Sequence, residues 1–133
     1  MTTKPIPLGM LICDTVIQDA KTQKKSLIGI FSQIHARKAP VRHPHMSVFL
    51  VVTEGHGSCS CELRCLRADS DKPLMSVKGE IAFRDPHQTL ELVFDLNGII
   101  FPDFGSYRLE FWVGDHLVIA RKLMVSHRPP QKK

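Results

Sequence analysis

Residues 75–113 read MSVKGEIAFRDPHQTLELVFDLNGIIFPDFGSYRLEFWV, and the spacing of their apolar side chains decides the fold. Met75, Val77, Gly79, Ile81 and Phe83 alternate with Ser76, Lys78 and Glu80. Leu90, Leu92, Phe94 and Leu96 alternate with Glu91 and Asp95, and Tyr107, Leu109, Phe111 and Val113 with Arg108 and Glu110. A strand turns successive side chains to opposite faces, so a period of two marks a strand with one face on a core and one in water. Arg84-Asp85-Pro86-His87 separates the first two runs. Gly114-Asp115 follows the third and suits a two-residue II′ hairpin, which needs glycine at its first central position.

Working outward, residues 8–17, 26–35, 46–53, 58–67 and 117–125 are apolar or alternating, with turn residues between them. This predicts about eight strands at a spacing of roughly 10–15 residues with no amphipathic helix, an all-β chain folded as a two-sheet antiparallel sandwich. A closed barrel is the alternative, although an OB-like barrel carries a helix that this sequence lacks. The stretch NGIIFPDFGS, residues 97–106, is the expected crossing from one sheet to the other. The 133 residues fit one domain, read as 1–126 with a basic tail at 127–133. The core needs neither disulfide nor metal, since 43% of residues are hydrophobic.

The opening LICDTVIQDAKTQKKSLIGIFSQI, the central HPHMSVFLVVTEG and the closing FPDFGSYRLEFWVGDHLVIARKLMV resemble an uncharacterised bacterial family of small β-sandwich proteins, a domain of unknown function. Its members share an L-x-C-D, then L-I-G-I-F, then F-P-x-x-G-x-Y order. The resemblance implies a fold and assigns no activity. The last hairpin is also similar to that of immunoglobulin-like domains, which implies an immunoglobulin-like sandwich and, by analogy of fold alone, a binding or spacing role.

The formal charge of +5 draws three of its cations, Arg128, Lys132 and Lys133, from the tail. Lys21, Lys24, Lys25, Arg37, Lys38 and Arg42 form a stretch without acids between Asp19 and Glu54. Strands that run strictly up and down would put its two loops at opposite ends of the sheet. No aromatic residues interleave with these cations, so the pattern argues against nucleic acid. The N-terminus has no long apolar run or cleavage site and nothing approaches the ~20 apolar residues of a membrane helix. The expectation is a cytoplasmic protein with no membrane partner.

Cys59, Cys61 and Cys65 with nearby His56 have the look of a zinc set. Equal parity places the three thiols with Leu63 on one face of one strand, where cysteine acts as a small hydrophobe rather than converging as metal ligands do. Cys13 and Asp14 are adjacent, so their side chains point to opposite faces and cannot form a nucleophile–acid pair. His56, His87 and His116 fall in loops at one predicted end and His35, His43 and His45 at the other. The first three, with Glu54 or Asp115, are the candidates for a metal-dependent binding or enzymatic site. No nucleophile elbow, Walker loop, dinucleotide fingerprint or H-E-x-x-H motif occurs, and no cofactor is expected.

The deviation left to explain is apolar residues on faces that should be wet. Phe49, Val51, Val93 and Trp112 all sit in the outward register of their strands. Coverage by a loop accounts for them, or a protein interface does, in a homo-oligomer or on another protein. The leading expectation is a non-catalytic interaction or assembly module using one outer sheet face with these four residues as anchors.

Overall fold

The computed structural model describes residues 4–128. Nine strands follow one another: β1 (Ile6–Gln18), β2 (Lys25–Ile30), β3 (Gln33–Ala36), β4 (Val41–Thr53), β5 (Gly57–Arg67), β6 (Pro73–Phe83), β7 (Thr89–Phe101), β8 (Gly105–Val113) and β9 (His116–His127). They form a four-stranded sheet, β2-β1-β4-β7, and a five-stranded sheet, β3-β9-β8-β5-β6. The architecture is the expected all-β sandwich. β9 runs on through His127, past the expected boundary at 126, and residues 129–133 of the expected tail lie outside the described residues.

The alternation works as the sequence predicts. Met46, Val48, Leu50 and Val52 of β4 are fully buried and face Leu63, Leu109, Phe111 and Val113 from the other sheet. Cys59, Cys61 and Cys65 line the core beside Leu63, all four cysteines are unpaired, and burial pushes the Cys65 thiol up to about 12. The Gly114-Asp115 turn has Gly114 at φ 59° while Asp115 stays at negative φ, the II′ pattern. Past Gly98 the buried parity changes, so that Ile99 and Phe101 rather than Ile100 face the core.

Three expectations need correcting. Residues 26–35 are two strands rather than one. β2 runs antiparallel to β1 as far as Ile30, then the chain turns back at Phe31-Ser32 and joins the other sheet as β3, parallel to β9. The sandwich is therefore not wholly antiparallel. Second, the crossing at 97–106 is only residues 102–104, because β7 keeps its ladder with β4 out to Phe101 opposite Val41. Third, the reversal at Phe31-Ser32 puts both basic loops at the same end. β1 is antiparallel to β4, so loop 19–24 lies where β4 begins, and residues 37–40 lead directly into that same start. Asp19, Asp69, Asp71 and Asp103 share this end, so its charge is mixed.

Both motifs of the opening segment meet at the edge of the four-stranded sheet. Gly29 adopts φ +70°, and a Cβ there would stand 2.2 Å from Asp14 Oδ2. Only glycine accepts both the left-handed backbone and the carboxyl lying over it. The F-P-x-x-G-x-Y segment carries the chain across from β7 to β8. The Tyr107 hydroxyl donates to the Asp103 carbonyl at 2.7 Å and accepts from the Asp103 N–H at 3.2 Å, with the Phe101 ring edge-on at 4.9 Å between centroids. This is the arrangement of a tyrosine corner.

Candidate functional site

The two outer faces of the sandwich have opposite character. On the five-stranded sheet, Glu62, Arg64, Arg108, Glu110 and Trp112 of β5 and β8 alternate in sign and bind one another. Arg64 reaches Glu62 at 2.9 Å, Arg108 Nε donates to Glu110 at 2.6 Å, and the Trp112 Nε1–H donates to Glu110 at 3.0 Å. Arg64 also stacks on the Trp112 ring, 4.5 Å from its centroid. Burial pushes the Glu110 carboxyl up, but the Arg108 and Trp112 hydrogen bonds and the two guanidinium charges outweigh it, leaving the acid below the ordinary glutamate range. Trp112 is held and half-covered by its own neighbours.

On the four-stranded sheet the register runs Leu11↔Phe49↔Val93 straight across β1, β4 and β7, with Val51 one step along β4. Ile30 pairs with Cys13 and Ile28 with Thr15, which extends the same face onto β2, and Ile17 continues it along β1. Ile17, Ile28 and Ile30 are about half exposed and Val93 is 36% exposed. Cys13 and Ser47, the small residues in the middle of this face, are shut off by larger neighbours. The four anchors read from the sequence therefore do not share a surface. Phe49, Val51 and Val93 do, and Trp112 lies on the opposite sheet, because parity gives a residue's side but not its sheet.

Beside the apolar stripe lies a polar group that sequence reasoning missed. His45 Nδ1 lies 2.7 Å from Asn97 Oδ1, its Nε2 lies 3.4 Å from Ser47 Oγ, and the Ser47 hydroxyl donates to Asp95 at 2.7 Å. The residue types are those of a serine–histidine–acid set, but the bonding is not. Ser47 gives its proton to the carboxylate rather than to the imidazole and is fully buried, and its strand's N–H groups serve the ladders on both sides, so none is free to hold an oxyanion. His45/Ser47 and Asp95/Asn97 share parity on two runs, but only the β4–β7 register brings them together.

His56, His87 and His116 do fall at one end, at the starts of β5, β7 and β9, and each is exposed. Among the described residues no three histidine, cysteine or acidic side chains stand close enough to hold a metal. His116 faces Asp115 at 3.6 Å. The turn at Glu54–Gly57 joins the two sheets, and the Phe83 ring packs against Gly55, where a Cβ would stand 2.2 Å away. At the opposite end a cleft of about 420 Å³ beside the β2–β3 reversal collects Asp14, Phe31, His35, His43 and Arg128. Burial lowers the His43 pKa, which favours the neutral imidazole. No described helix is long and apolar enough to cross a membrane.

Comparison with known proteins adds little about activity. No curated protein matches the chain. Among solved structures, an immunoglobulin-like protein from Pseudomonas aeruginosa is similar at 12% identity, with 93% of this chain and 98% of that one covered and a TM-score of 0.41. The sequence profile of DUF6941, a family of unknown function, matches residues 8–126, a span that takes in both motif sites and nearly all of the two sheets, and the chain belongs to that family.

Proposed function

We propose that this chain is a non-catalytic assembly module that pairs with a second copy of itself through the outer face of the four-stranded sheet. The observation that carries this reading is the apolar stripe formed by Leu11, Phe49, Val51 and Val93 with Ile17, Ile28 and Ile30. Its exposed apolar area is roughly 500 Å² per copy, at the upper end for a monomer's largest patch. Two such stripes together reach about 1,000 Å², the lower bound for a specific interface, so the stripe alone supports a weak dimer. A second copy suits the stripe because a flat apolar sheet face is best buried by another of matching extent. Glu91 and Asp95 flank Val93 on this face, but each is partnered within the chain, Glu91 by Lys25 at 3.0 Å and Asp95 by the Ser47 hydroxyl at 2.7 Å. The charged face around Trp112 offers no comparable surface. Four unpaired cysteines suit a reducing compartment, which favours the cytoplasm.

Sedimentation equilibrium of the full chain tests the proposal. A dimer is expected, weakened by ~2 kcal/mol or more on Phe49→Glu or Val93→Glu, as for a central interface residue. Neither substitution touches the core. A strict monomer at hundreds of micromolar, or a dimer indifferent to both changes, would sink the proposal. A heterologous partner would then be the occupant to seek.

A further inference from the structure

We propose that the upstream half of β9 is a docking edge that takes an extended, acid-bearing polypeptide segment by strand addition. β8 pairs with β9 from His116 to Val125, but on its other side β9 has a neighbour only over Met124–His127, where β3 lies parallel to it. The Met124 N–H points out of that edge and donates to the Ser32 carbonyl at 3.2 Å. Alternate residues of a strand point their backbone groups the same way, so the N–H and C=O of Lys122 and Ala120 leave the same edge with no ladder partner, although β1 passes close to β9.

The flank across the gap is incomplete too. β2 pairs with β1 only over Cys13–Gln18, and the bond from the Phe31 N–H to the Ile12 carbonyl, 2.9 Å, is the last before that edge opens. Two residues back, the Met10 carbonyl points into the opening and accepts from Arg121 Nη1 at 3.3 Å. Arg121 thus bridges from β9 to β1 where neither edge has a ladder partner. Its buried Nε has no partner among the described residues. A cleft of about 490 Å³ lined by Ser32, Gln33, Arg121, Lys122 and Met124 lies where β3 leaves β9. Leu117, 38% exposed, lies on the same strand.

Charge selects the occupant. Two β9 edges meeting antiparallel would crowd Arg121 and Lys122 of both copies into one short ladder, and like charges placed opposite each other destabilise a pair. An extended segment of another polypeptide with an acid opposite Lys122 gains both the ladder and the charge pair. This edge lies apart from the apolar stripe, so the two surfaces fail or stand separately.

The full ¹⁵N-labelled chain, titrated with a blocked octapeptide of alternating Val and Thr bearing one central Glu, tests the proposal. Shift changes are expected at 116–123 and at Ser32-Gln33, with slowed exchange of the Ala120 and Lys122 amides. Affinity should fall about tenfold when the peptide's Glu becomes Lys, and again for the original peptide on Lys122→Glu. Ala120→Pro removes an N–H that no ladder uses in the free chain, and it should abolish binding in a folded protein. If that variant does not fold, Lys122→Glu decides. Shifts mapping to other strands, equal affinity for the Lys peptide, or no shift at millimolar peptide would overturn the proposal.

Discussion

Tyr107→Phe removes one oxygen from the crossing between the sheets and leaves the packing untouched. The ring is 1% exposed and keeps its edge-on contact with Phe101, so no cavity opens. What disappears is the pair of hydrogen bonds tying the hydroxyl to the Asp103 N–H and C=O. Each such bond is worth about 1 kcal/mol net, and more where the partner is left dry. Asp103 is exposed, so water can reach part of what is freed. The expected loss is therefore about 1.5–2.5 kcal/mol. For a domain of this size that corresponds to a fall in Tm of roughly 5–10 °C. Urea denaturation should show a lower midpoint at unchanged slope, since the surface exposed on unfolding is the same. Arg67 also pairs with Asp103, but both side chains are largely in solvent, so Arg67→Ala should cost no more than ~0.5 kcal/mol. A loss below about 0.5 kcal/mol for Tyr107→Phe, or a larger loss for Arg67→Ala, would refute the view that the buried hydroxyl holds the crossing.

Gly29→Ala should cost about 2–4 kcal/mol, because the new Cβ meets both an unfavourable φ and the Asp14 carboxyl. In an Asp14→Ala background the carboxyl clash is removed and only the Cβ at 3.2 Å remains, so about 1–2 kcal/mol, mostly backbone cost, should be left; equal costs in both backgrounds would show that the Asp14 carboxyl does not hold this contact. Glu110 has a folded pKa below its unfolded one, so its contribution is full above about pH 4.5 and is lost as pH falls through the folded value. The stability gap between the native chain and Glu110→Gln should accordingly narrow between about pH 6 and pH 3, and a gap constant with pH would contradict the assigned partners.

Most of the core was legible in the sequence because burial of a half-wet strand is written in parity. Met46 to Val52, the three β5 cysteines and Tyr107 to Val113 all face where a period of two puts them. The Gly114-Asp115 turn was legible because its backbone demands a residue type. Neighbours were not legible. Parity cannot say that Trp112 and Phe49 belong to different sheets, nor that His45 and Ser47 lie opposite Asn97 and Asp95. The break at Phe31-Ser32 was hidden for another reason. SLIGIFSQI is apolar almost throughout, and its local signals, Gly29 and Ser32, are single residues separated by Ile30 and Phe31, too weak a turn cluster to distinguish one strand from two.

That hidden break also generates both of the surfaces proposed to bind. β2 has six residues and β3 has four, so each covers only part of the strand beside it. Had residues 25–36 continued as one strand along β1, the β1 edge would have closed and β9 would have lost its parallel neighbour entirely. Arg121 would then have no opening to bridge, and its inward charge would lie against a completed sheet edge. The short β2 instead ends with Ile28 and Ile30 on the outer face, widening the stripe around Phe49 to the sheet's margin. The short β3 leaves Ala120 and Lys122 without a ladder partner, and one guanidinium bridges from β9 to the β1 edge instead. A chain that only needed a stable sandwich would gain ladder hydrogen bonds by extending either strand. The truncated pair is therefore the feature whose physical cost most calls for a binding partner in return.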